Sequence, residues 1–229
     1  IFSGILSNKS AIYHRNPITD ERAPAPATID IVLSLLEADK NPDRLIIFNC
    51  QMGRGRTTTG MIIASLWSIH RLKITPKFDV LDQKQKKKGW APDLVQTGKN
   101  DDETMSIELR ERLNAGQWKI IRKLVRLLPQ GELVKSQVDE VIDICDAMQN
   151  LRTCICDVQD AALTALPRKK AAFVQRGKWY LQRYFYVIVL NAYLRQYSNS
   201  DEILPPFQDW LSQRSEIINL LSWDSVENL

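Results

Sequence analysis

The chain has 229 residues, with 44% hydrophobic and 25% charged residues and a formal net charge of +4. These are the proportions of a globular chain long enough for one large domain, and so mild a charge does not argue for nucleic acid as a partner. No run of about 18 apolar residues occurs, so no transmembrane segment is expected.

The first elements in chain order are one or two short strands over Ile1 to Ile18. Asp20 follows in a loop punctuated by proline. Pro24 and Pro26 then introduce an amphipathic helix over residues 26–39, with Ile29, Val32, Leu33 and Leu36 inward. Leu45 to Asn49 reads as a short, buried strand. It ends at Cys50, and the chain continues Gln51-Met52-Gly53-Arg54-Gly55-Arg56-Thr57 into a helix running from Arg56 to about Arg71. Residues 75–103 carry Pro76, Pro92, Gly98 and a lysine run at Lys84, Lys86, Lys87 and Lys88, and read as a long exposed loop. Beyond them the pattern is helical: Gln117 to Leu128, stopped by Pro129 and Gly131, then 132–148, 151–165 and 168–197, with Pro167 between the last two. Tyr180 to Tyr186 reads as helix-packing aromatics. Pro205 and Pro206 open a final helix containing Trp210, Leu211, Ile218 and Leu221.

The chemistry concentrates between Cys50 and Thr57. Gly53 and Gly55 admit backbone conformations that turn successive N–H groups of residues 51–56 around one oxyanion. A helix follows, and its N-terminus favours negative charge on an anion or on a thiolate. Arg56 supplies a planar fork that can hold two phosphate oxygens. Thr57 can hydrogen-bond the sulfur. Arg54 lies inside the loop, where a second cation favours substrates with several phosphates; a solvent-facing arginine is the alternative. Asp20 has two readings: an Asx turn or helix cap, or the acid that protonates a leaving oxygen and then activates water.

The order strand, Cys, two glycines, Arg-Thr and helix, from Tyr13 to about Arg71, resembles the cysteine-dependent (PTP-like) phosphatase superfamily. Ile18-Thr19-Asp20-Glu21-Arg22-Ala23-Pro24 is similar to the PTP-like inositol phosphatases, or phytases. The wording from Asn49 to Met61 is closer to the paladin family, whose chains carry several phosphatase-like repeats. Gly116-Gln-Trp, Val138-Asp-Glu, Gln149-Asn-Leu-Arg and Tyr180-Leu-Gln-Arg-Tyr resemble it too. The resemblance implies Cys50 as nucleophile, Arg56 as phosphate clamp and Asp20 as general acid, with Gln51, Met52, Gly53, Arg54, Gly55 and Thr57 around the substrate. It implies an α/β core over residues 1–130, its sheet partly outside this chain, and a helical extension over 131–229. Two positions depart from the pattern: Asn49 stands where a histidine often precedes the cysteine, and Glu21 where a histidine follows the acid.

Cys145 falls on an apolar helix face, and Cys154 and Cys156 are spaced poorly for a metal, so no zinc site is expected. A nucleophilic thiolate without a disulfide pattern suits a reducing, cytoplasmic compartment. The expected activity is a phosphoric monoester hydrolase using no cofactor, on a phosphorylated small molecule or lipid head group such as an inositol polyphosphate or phosphoinositide. The alternatives are a protein tyrosine or dual-specificity phosphatase, and a non-catalytic repeat that binds phosphorylated ligands. Further phosphatase-like repeats are expected in the same longer chain.

Overall fold

The computed structural model describes residues 12–41, 43–74, 107–146, 149–199 and 203–221. The described elements are all helical: α1 (Pro26–Glu37), α2 (Gly55–Trp67, widening into a π-helical turn at Ser68–Leu72), α3 (Ile107–Asn114), α4 (Lys119–Leu127), α5 (Gly131–Ile144), α6 (Leu151–Thr164), α7 (Pro167–Gln196), α8 (Phe207–Ser212) and α9 (Ser215–Leu221). The expected α/β core is therefore corrected, because no strand or sheet is present among the described residues.

The correction has a physical source at Leu45 to Asn49. That segment takes no regular secondary structure and pairs with no strand among the described residues, and Leu45 and Ile47 are 83% and 79% exposed. An apolar run sets its own backbone preference, but a strand also needs a neighbour to take its N–H and C=O groups. The upstream stretch 12–25 is also irregular. Pro17 and Pro24 lack the N–H that a continuous ladder requires. Only Phe48 turns inward from the run, its ring lying against Gly60 of α2. Residues 1–11 of the stretch Ile1 to Ile18, expected to hold one or two short strands, and the lysine-bearing loop lie outside the described residues.

The core forms around α2, which is buried along nearly its whole length and packs on α1, α5 and α7. Its inward residues Ile62, Ile63, Leu66 and Trp67 are buried. Helix α7 has 30 residues, a span of about 45 Å at 1.5 Å per residue. Its apolar stripe from Leu181 to Leu194 is buried, and α6 packs antiparallel along it as the two arms of a helical hairpin. Pro167 starts α7 at its first position, where a missing N–H costs nothing.

Polar contacts tie distant segments together. Asp30 of α1 accepts hydrogen bonds from the backbone N–H groups of Phe207 and Gln208, at 2.5 and 3.0 Å. It thereby caps α8, whose own cap residue, Pro206, makes no side-chain cap. Glu37 pairs with Arg71 at 2.9 Å and accepts from Trp67 Nε1 at 2.7 Å, fixing α1 on the end of α2. His70 Nε2 lies 2.8 Å from Asn191 Oδ1, and Asn191 donates to the Val134 carbonyl at 2.9 Å. The final helix expected after Pro206 is two short helices, α8 and α9. Arg214 sits between them, donating to the Trp210 carbonyl at 2.6 Å with its guanidinium 3.6 Å from the Trp210 ring centroid. Among the described residues no helix is long and apolar enough to cross a membrane.

Candidate active site

Cys50 ends the apolar run, and α2 begins five residues later at Gly55. The intervening turn uses Gly53 in the left-handed region, at φ 67°. Gly55 is needed for a close approach: a Cβ there would stand 2.7 Å from Arg183 Nη1 and 3.0 Å from Gln149 Oε1. The loop thus closes against the helical part of the chain through a residue without a side chain.

This turn brings donors to the sulfur. Thr57 Oγ1 donates to Cys50 Sγ at 3.2 Å. Backbone N–H groups of Thr57, Met52 and Arg54 also hydrogen-bond it. Burial pushes the thiol up from its ordinary value of 9.0, but these four hydrogen bonds to the charged form outweigh it and bring Cys50 down to about 7. The other cysteines respond oppositely. Burial raises Cys145 to about 11 and Cys154 to about 12, in keeping with inert core thiols.

Arg56, in the first turn of α2, faces Asp20, with Nε 3.2 Å from Oδ1. The contact lacks hydrogen-bond alignment, so it is an ion pair of proximity rather than a directed bond. Cys50, Asp20, Arg56 and Thr57 are therefore gathered at one end of α2. Gly53, Arg54 and Gly55 are half-buried in the turn, while Gln51 and Met52 are exposed at its rim. Asn49 is exposed as well. Glu21 turns to Arg176 on α7, Nε to carboxylate 3.0 Å.

Arg183, Arg176 and Gln149 are not among the site residues expected from the sequence, although all three reach the loop or the turn at Asp20. The signal available was the wording at Gln149-Asn-Leu-Arg and Tyr180-Leu-Gln-Arg, which carried the resemblance; these two segments meet at Gly55. Among the described residues no group of three His, Cys, Asp or Glu side chains is placed to hold a metal.

The family described as PTP-like phytase, inositol hexakisphosphate, matches residues 5–68. Paladin from Xenopus tropicalis is 29% identical over 233 residues, covering 95% of this chain and 24% of that protein. Paladin from Danio rerio is 29% identical over 255 residues, covering 100% of this chain and 25% of the relative. Paladin from Homo sapiens is 27% identical over 225 residues, covering 91% and 23%. The chain thus spans about a quarter of the length of these relatives. No solved structure matches it.

Proposed function

Starting from the chain's membership of the PTP-like phosphatase family as a paladin-like protein, we propose that it hydrolyses phosphoric monoesters through a cysteinyl-phosphate intermediate. The observation that carries this is the convergence of the Thr57 hydroxyl and three loop N–H groups on Cys50, with its acidity brought to about 7.

The chemistry proceeds in two displacements. Cys50 Sγ attacks phosphorus and an S–P bond forms as the P–O bond to the alcohol breaks. Asp20, protonated for this step, gives its proton to the leaving oxygen. Arg56 turns from Asp20 to the equatorial oxygens, and the loop N–H groups hold the rest of the developing charge. Water then attacks the same phosphorus while the Asp20 carboxylate takes its proton. The S–P bond breaks, and Thr57 stabilises the departing thiolate. No cofactor enters the scheme.

Arg54, half-buried in the loop, supports a substrate with neighbouring phosphates, an inositol polyphosphate or phosphoinositide. The test is phosphate release from soluble inositol phosphates, phosphoinositide lipids and phosphotyrosine peptides, with Cys50→Ser as blank. Release is expected to be fastest from the multiply phosphorylated inositols. Release only from the peptides would replace this substrate class. No release above the blank would leave a repeat that binds phosphorylated ligands.

A further inference from the structure

Three residues of α7, Arg176, Tyr180 and Arg183, recur at spacings of four and three and so share one face of the helix. That face meets the turn carrying Asp20. Arg176 pairs with the Glu21 carboxylate at 3.0 Å. Trp179, beside them, lies under the Arg22 guanidinium, 3.9 Å from its ring centroid. Arg183 Nη2 donates to the Arg22 carbonyl at 3.3 Å. Glu21 itself sits at φ 61°, a left-handed conformation that is unfavourable for a residue with a Cβ. A turn in that conformation persists where its surroundings hold it.

Arg183 is the centre of the grip. It is 1% exposed, and its guanidinium lies 5.0 Å from the Tyr180 ring centroid. Nη1 occupies the space a Cβ on Gly55 would need, 2.7 Å from where that atom would stand, and neither Nε nor Nη1 has a hydrogen-bond partner among the described residues. Burying a guanidinium with a single hydrogen bond is costly, so packing alone does not account for an arginine at this position. Its nearest anionic neighbours in electrostatic effect are Asp20 and Glu21; Tyr180 and Cys154, the other groups that act on it, are held neutral by burial.

We propose that Arg183 is a positioning residue: from α7 it fixes the turn at residues 20–22 against Gly55, and so sets Asp20 over the Cys50 loop. Its kinetic consequence rests on the phosphatase reading; its structural consequence does not.

Two measurements on the full chain test this. The first is amide hydrogen exchange in wild type and Arg183→Met, which keeps an apolar side chain but removes the charge. Exchange at residues 19–23 is expected to rise about tenfold while α2 and α6 keep their protection. If protection falls throughout the chain, Arg183→Lys decides instead. It keeps the charge without the fork, and faster exchange confined to residues 19–23 supports the role. Wild-type exchange there, in whichever variant decides, overturns it.

The second measurement is turnover. Arg183→Met is expected to lose about a hundredfold in kcat on an inositol polyphosphate, whose poor leaving group needs the acid. On para-nitrophenyl phosphate, which needs it less, the loss is expected to stay below about threefold. In an Asp20→Asn background the substitution should add no further loss on the polyphosphate. Equal losses on both substrates, or additive losses in the double variant, overturn the positioning role. A wild-type chain that releases no phosphate from any substrate refutes the phosphatase reading, and hydrogen exchange then decides Arg183 alone.

Discussion

The Cys50 thiol is held below its ordinary value by neighbours that a residue-by-residue reading only partly reveals. The loop glycines and Arg56 lead to the expectation of an anion site, and Thr57 was legible as a donor to sulfur. The backbone N–H contacts from Met52, Arg54 and Thr57 depend on the turn at Gly53 and required the structure. Asn49 is exposed, and the hydrogen bonds from Thr57, Met52 and Arg54 outweigh the burial of the thiol. The rate of Cys50 alkylation by iodoacetamide is therefore expected to rise through an inflection near pH 7. In Thr57→Val, which removes the hydroxyl at 3.2 Å, the inflection should move to higher pH. The sign for stability follows from the same shift. A depressed thiol favours the fold above its unfolded value of 9.0, and that contribution is lost as pH falls through about 7. Comparing wild-type and Cys50→Ser melting temperatures across this window checks it.

Among the elements, helices were far more legible than strands. Periodicity and the prolines placed α1, α4, α6 and α7 close to their observed bounds, because a helix satisfies its backbone within one segment. The run at Leu45 to Asn49 was read as a strand, but its partner would have to come from elsewhere in the chain, and local pattern carries no record of one. Long-range caps were equally invisible: nothing near Pro206 announces that Asp30 closes α8. Asp30→Ala is expected to cost about 1–2 kcal/mol in chemical denaturation, as loss of a cap with two N–H partners should. A wild-type midpoint would contradict the capping role. His70 provides a second check. Burial holds its imidazole below the usual 6.5, so the unfolded chain binds the proton more readily and stability falls as pH drops below that value. The fall should be shallower in His70→Gln, measured by urea denaturation at successive pH values.

At the scale of the molecule, the helices beyond residue 130 are part of what holds the loop. Helix α2 buries Ile62, Ile63, Leu66 and Trp67 in a core to which α5 and α7 contribute, and α7 reaches the turn at Asp20 through Arg176 and Arg183. The amphipathic stripes of these helices were legible from spacing, but which faces meet was not, since that is decided by contacts more than a hundred residues apart in sequence, such as Arg183 to Arg22. A fragment of residues 1–130 would leave the apolar face of α2 exposed. It is expected to show no cooperative thermal transition and to bind a hydrophobic dye, whereas the full chain melts cooperatively.

In the proposed mechanism Cys50 carries the phosphoryl group between two displacements. Asp20→Asn should still accept phosphate from para-nitrophenyl phosphate, whose leaving group needs little protonation, but should release it slowly without a base for water. Acid quenching of that variant during turnover, followed by mass analysis of the peptide containing Cys50, is predicted to show the added mass of one phosphoryl group, absent in Asp20→Asn with Cys50→Ser. Turnover of the aryl phosphate that continues undiminished in Cys50→Ser, with no adduct on the Cys50 peptide, would contradict the mechanism.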